Sequence, residues 1–167
     1  MFLMYMAFGV SWMAVAPLLP DVIAHYKVTL AEGAFMISLV SVSKAFVPLL
    51  AGMLAARIGL KRALLLGAVL ACVSILVPSA RTFDELLIMR FVFGIGGAII
   101  VTLMGAMAME WFGRDELPLV NGLNNVAVNT GITVALDTSV QMAARVGWQD
   151  ALRSCAIPAI GLAGLWA

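Results

Sequence analysis

The sequence is short of charge. Only 11% of its 167 residues are Asp, Glu, Lys or Arg, and ten basic side chains against nine acidic ones leave a net charge of +1. Soluble domains carry about 25% charged residues, so a soluble enzyme and a disordered chain are both excluded. Without a basic stripe there is no electrostatic footprint for nucleic acid. One His and two Cys supply neither a metal cluster nor a disulfide framework. No glycine-rich phosphate loop follows a strand and no nucleophile–base pair is visible, so neither a cofactor nor an enzyme activity is expected. Low-complexity runs and linkers are absent. Residues 1–20 contain no basic residue, which argues against a cleaved signal peptide.

Apolar residues make up 63% of the chain and the mean hydropathy is +1.08. A core this small cannot hold so much apolar surface, so much of it must face lipid. Six segments meet the requirement of about 20 predominantly apolar residues for a spanning helix: 1–20, 33–55, 63–80, 86–109, 119–141 and 150–167. The links at 21–32, 57–62, 81–85, 110–118 and 138–150 are short, which makes successive helices antiparallel neighbours. An open sheet cannot span lipid and no barrel pattern is present, so the fold class is an all-α membrane protein with six transmembrane helices. Arg57, Lys61, Arg62 and Arg114 fall on one side, and Lys27, Arg81 and Arg145 on the other. The compact 57–62 cluster goes to the cytoplasm under the positive-inside rule, with the N-terminus on the same side. Both ends fall within apolar segments, so beginning and end both read as cut. No repeat is evident between the first three spans and the last three.

The segment from Gly52 to Arg62 reads G-M-L-A-A-R-I-G-L-K-R. It resembles the loop 2–3 signature of the major facilitator superfamily, G-x-L-A-D-R-x-G-R-K/R, through Gly52, Leu54, Arg57, Gly59, Lys61 and Arg62. Ala56 replaces the usual Asp, so a latch built on that carboxylate cannot operate; Glu110 is either a substitute partner for Arg57 or an ordinary solvated charge, the second being the commoner case for an exposed pair. Arg90 to Gly97 is similar to the family's R-x-x-x-G-x-G-G pattern. Gly94, Ala98, Thr102 and Ala106 then form a small-residue seam at four-residue spacing. Trp111-Phe112 followed by Asn121-Gly122, and Gly147-Trp148, match two further family motifs. The resemblance implies the N-terminal six-helix half of a twelve-helix transporter in a bacterial inner membrane, with the C-terminal half, or a second copy, as partner. It also implies alternating access, with substrate near the midplane between halves and a gating loop formed by Gly52, Arg57, Gly59, Lys61, Arg62 and Glu110.

Four residues are candidate substrate contacts. Lys44 sits mid-span, where a cation is expensive unless it faces a cavity or partner. Arg90 lies near the end of the fourth span, where it can snorkel or line a cavity wall. Asn125 and Asn129 belong to a stripe that begins at Asn121 and ends at Thr133, drifting about 40° per step at 100° per residue. Their amides need hydrogen-bond partners in lipid. Asn129-Thr130-Gly131 resembles the N-x-G core found in nitrate/nitrite porters of the superfamily, and the stretch from Trp111 to Asn125 is similar to cyanate-transporter-like members. Asp137, Arg153 and His25 read as solvated end or loop groups. The expected function is secondary active transport of a small solute, leaning anionic. A six-helix structural or assembly protein, a non-transporting remnant and a homodimeric half-transporter are the alternatives.

Overall fold

The computed structural model describes the backbone of residues 1–166 and the side chains of residues 1–164. Within those residues all regular structure is helical: α1 (Phe2–Met13), α2 (Leu19–Tyr26), α3 (Leu30–Ile58), α4 (Leu60–Ala71), α5 (Phe83–Trp111), α6 (Leu117–Val146) and α7 (Trp148–Trp166), with two 3₁₀ turns at Cys72–Ile75 and Val77–Ser79. By length and composition α3 and α5 can each cross a membrane, whereas α1 is shorter. At 1.5 Å per residue the 29 residues of each reach about 43 Å, more than a hydrocarbon core of about 30 Å. The end of the expected 150–167 segment, Ala167, lies outside the described residues.

Three of the expected segments differ in form. The first is not one helix. Pro17 has no N–H to give the Met13 carbonyl, which instead takes the Ala16 N–H in a tighter turn at 3.0 Å. The chain then restarts as α2, so part of the expected 21–32 link is helical. In the third segment, regular helix stops at Ala71 and 3₁₀ turns carry the chain past Pro78. In the fifth, α6 continues to Val146, so most of the expected 138–150 link is helix.

Glycines set the packing around α5. A side chain at Gly94 would meet Ser43 and Val40 of α3, at Gly96 the backbone of α4, and at Gly97 the Phe8 ring of α1. Each glycine thus admits a different neighbour. Gly9 and Gly131 do the same for the α1–α6 crossing, where each lies against the other helix's backbone. Phe8, Phe93, Leu103 and Met104 anchor one core cluster, and Val15, Leu18, Val22 and Leu86 anchor another. Outside the core, Phe46 and Leu49 of α3 are 72% and 76% exposed, as a helix in a non-aqueous environment permits.

A repeat that the sequence did not disclose emerges at two junctions. Gly59 separates α3 from α4, and Gly147 separates α6 from α7. Both have positive φ, 87° and 85°, which a residue without Cβ adopts freely. Their N–H groups donate to Ala55 and Ala143, and their carbonyls accept from Ala63 and Ala151. The surrounding residues then align: Ala55-Ala56-Arg57-Ile58-Gly59 with Ala143-Ala144-Arg145-Val146-Gly147, and Ala63-Leu64 with Ala151-Leu152. Gly147 lies beside Pro17, Leu18 and Asp21, and Leu19 and Ile23 pack on Gly33 at the start of α3. Gly59 closes the other end of α3, so the two junctions sit at opposite ends of the bundle.

Candidate functional site

Lys44 is the central residue of α3. Its neighbour Ser43 is buried against Gly94, which brings α3 close to α5. From there the half-buried ammonium reaches α1, with Nζ 3.2 Å from the Trp12 ring centroid and 5.1 Å from that of Phe8. Trp12 stacks on Phe8 at 5.9 Å, and Phe8 meets Phe93 of α5 at 5.5 Å. The ammonium therefore rests on an aromatic group contributed by two helices.

Arg90 approaches the same group from α5. The sequence allowed it to snorkel toward the helix end. Instead it lies two turns inside α5, 2% exposed, and turns inward. Its Nη2 donates to the Trp12 carbonyl at 2.9 Å and its Nη1 to the Ser11 carbonyl at 3.4 Å. The break after Met13 leaves those carbonyls without helical donors, and a planar guanidinium can serve two at once. Arg90 also lies 5.4 Å from the Phe93 ring. It is thus committed to the end of α1, with only its Nε lacking a partner.

Among the described residues no carboxylate forms an ion pair with these cations. All nine carboxylates lie in helix end turns, loops or the last third of α6. Among the described residues the only ion pair joins Arg153 to Asp150 at 2.9 Å; Arg153 also donates to Ser79 Oγ at 3.0 Å. Arg57 and Glu110 form no pair in this structure, as a solvated Glu110 would have it. Both are exposed, as are Gly52, Gly59, Lys61 and Arg62. A side chain at Gly52 would meet nothing within 4 Å.

The Asn stripe faces outward. Asn125, Asn129 and Thr133 are exposed, on a shallow groove shared with Val126, Thr130 and Val134. Asn129 Nδ2 donates to the Asn125 carbonyl at 2.8 Å, and the Thr133 hydroxyl to the Asn129 carbonyl at 3.0 Å. The helix itself thus satisfies part of what these side chains need. Sequence reasoning passed over Asn124, which is 4% exposed with neither amide atom bonded, and Trp12, whose buried indole N–H also lacks an acceptor. Trp12 carried no signal of its own: it is one aromatic in an apolar run, and only the α1 break gives it a role.

The outer groups hold the α2 end together. The Tyr26 hydroxyl donates to the Ala80 carbonyl at 2.7 Å, and the Tyr26 ring lies near His25, Phe83 and Trp148. Burial, then the nearby Glu85 carboxylate, pushes the Tyr26 phenol above its ordinary value. Thr29 caps α3 in a reciprocal box with Glu32: the Thr29 backbone N–H donates to the carboxylate at 2.7 Å and its hydroxyl at 2.8 Å. Those bonds, the backbone one first, hold the Glu32 carboxyl below its ordinary value.

Comparison with known proteins places this architecture. The family model described as the Major Facilitator Superfamily matches residues 1–167. Over 152 residues the chain is 27% identical to an uncharacterized protein of Campylobacter jejuni, covering 90% of this chain and 47% of that protein. Over 143 residues it is 24% identical to the probable nitrate transporter NarT of Staphylococcus carnosus, covering 85% of this chain and 36% of that protein. The chain therefore spans less than half the length of these relatives.

Proposed function

We propose that this chain, which belongs to the major facilitator superfamily, is the N-terminal six-helix half of a secondary transporter that moves a small anion by alternating access. One observation carries the reading: two cations, Lys44 and Arg90, share one aromatic group in the middle of the bundle, and among the described residues no carboxylate pairs with either. A cation at that depth costs at least about 2.5 kcal/mol, whereas an aromatic face returns about 0.5–2 kcal/mol. An anion makes up the difference for Lys44, which keeps part of its surface open, and Lys44 is the substrate contact. Arg90, engaged with the α1 carbonyls, contributes positive field rather than a free donor fork. The similarity to a probable nitrate transporter makes nitrate the first probe.

Placement supports the remaining roles in the proposal. Asn125 and Asn129, on an open face of α6, contact substrate only once a second half, or a second copy, covers that face. Gly52, Arg57, Gly59, Lys61, Arg62 and Glu110 form the gating region at the Gly59 end, with partners outside this chain. That end is cytoplasmic in a bacterial inner membrane, since its loops carry the compact basic cluster.

The test is nitrate uptake by the whole protein in proteoliposomes. Lys44→Ala should abolish uptake and Lys44→Arg should retain part of it. Full uptake by Lys44→Ala would remove the reading.

A further inference from the structure

We propose that Trp12 is the specificity-determining residue of the Lys44 site, selecting weakly hydrated monovalent anions over strongly hydrated ones such as phosphate and sulfate. The inference rests on the reading of Lys44 as the anion contact and adds to it what surrounds the ammonium.

The indole lies over the ammonium at 3.2 Å, nearer than any other ring. Its position is fixed from two directions. Arg90 holds its backbone carbonyl at 2.9 Å, and Phe8 stacks on its ring at 5.9 Å. An anion that reaches Nζ must therefore seat beside an aromatic wall made of Trp12, Phe8 and Phe93. That wall offers no oxygen or water to replace a hydration shell. A strongly hydrated anion loses more on entry than one ammonium returns, while a weakly hydrated one loses little.

Trp12 also brings a donor. The indole N–H is buried and has no acceptor, an arrangement that ordinarily carries a cost. Lys44 beside it has only donors to offer, and the Nε of Arg90 is unpartnered as well. Donors without an acceptor on neighbouring residues are what an anion can complete. Trp12 thus supplies the site with a face that excludes hydrated competitors and an N–H that receives the anion.

Two substitutions separate these contributions. Trp12→Phe keeps an aromatic face and removes the N–H; nitrate should bind about fivefold more weakly, the worth of one hydrogen bond, with its preference over phosphate retained. Trp12→Leu removes both, and the ratio of inhibition constants for phosphate and nitrate should fall about tenfold, on the scale of a partly desolvated cation–π contact. A direct readout is independent of uptake. In the whole protein with every tryptophan except Trp12 changed to Phe, nitrate should move the Trp12 emission maximum, and Lys44→Met should abolish that movement.

The outcomes are distinct. If Lys44→Ala abolishes uptake but Trp12→Leu keeps the anion preference, or if nitrate leaves the emission maximum unmoved, the role of Trp12 is overturned and the anion reading stands. If uptake is indifferent to Lys44, both fall together.

Discussion

Arg90 donates to the backbone carbonyl of Trp12 across 2.9 Å, joining the interior of one helix to the broken end of another. That bond turns a proline-induced interruption into a fixed point of the structure. The carbonyls of Ser11 and Trp12 would otherwise be buried acceptors without donors, and Arg90 would be a buried charge with nothing to bind. Each defect is the other's remedy. Trp12 in turn carries the ring on which Lys44 rests, so it is one point at which α1, α3 and α5 meet.

Arg90→Gln should therefore destabilise the protein by about 2–4 kcal/mol, the range expected when a buried charged hydrogen-bond network is broken. Arg90→Lys should recover only part, because an ammonium is a point donor and cannot span two carbonyls in fixed geometry. Thermal unfolding in detergent measures both. An unchanged melting temperature for Arg90→Gln would contradict the role.

The glycines divide by their surroundings. Alanine at Gly96 or Gly131 would meet the backbone of a neighbouring helix, and the protein should lose about 1–3 kcal/mol or fail to fold. Alanine at Gly52 meets nothing and should be neutral or stabilise by up to about 1 kcal/mol. If Gly52→Ala lowers transport while leaving the melting temperature intact, the space around Gly52 is needed by a helix that arrives from outside this chain.

Arg57 and Glu110 should show no coupling. The charge-swapped double variant, Arg57→Glu with Glu110→Arg, should transport no better than the worse single variant. Rescue by the swap would mean that the two side chains meet in a conformation other than this one.

The capping box predicts a pH dependence. Because the Glu32 carboxyl is held below its ordinary value of 4.5, its contribution is fully present above that value and is lost as pH falls through the lowered one. Thr29→Ala removes the hydroxyl bond and should move the Glu32 titration back toward 4.5, as followed by NMR of a labelled carboxylate. Tyr26 behaves oppositely: its phenol is raised in the folded state, so its contribution is fully present below the ordinary value of 10.0 and is lost as pH rises through the raised one.

Much of the architecture was legible because hydrophobic length speaks plainly. The helical class and the approximate places of α3, α5 and α6 follow from apolar runs and the charges between them. The α1 break was harder: Pro17 was visible, but whether a proline kinks, ends or merely decorates a helix depends on who takes up the freed carbonyls, and Arg90 is 78 positions from Trp12. Lys44 stood out because a mid-span cation is rare. Its aromatic partners did not, since Phe and Trp are at home in any apolar run. The Asn stripe was correctly placed on one face, yet the direction of that face is set by Gly9 and Gly131 at the α1 crossing, a pair that no spacing rule on α6 alone reveals. The paired glycine junctions were hidden by divergence everywhere except at the turn itself.

Those junctions have a bearing on how the chain enters a membrane. Two copies of the same turn, placed at opposite ends, offer the insertion machinery nearly the same topogenic signal twice, and each has its arginine at the corresponding place, Arg57 and Arg145. What distinguishes them is the pair that follows. Lys61 and Arg62 stand in one copy where Gln149 and Asp150 stand in the other. Between the two turns, the difference in basic charge lies at those two positions.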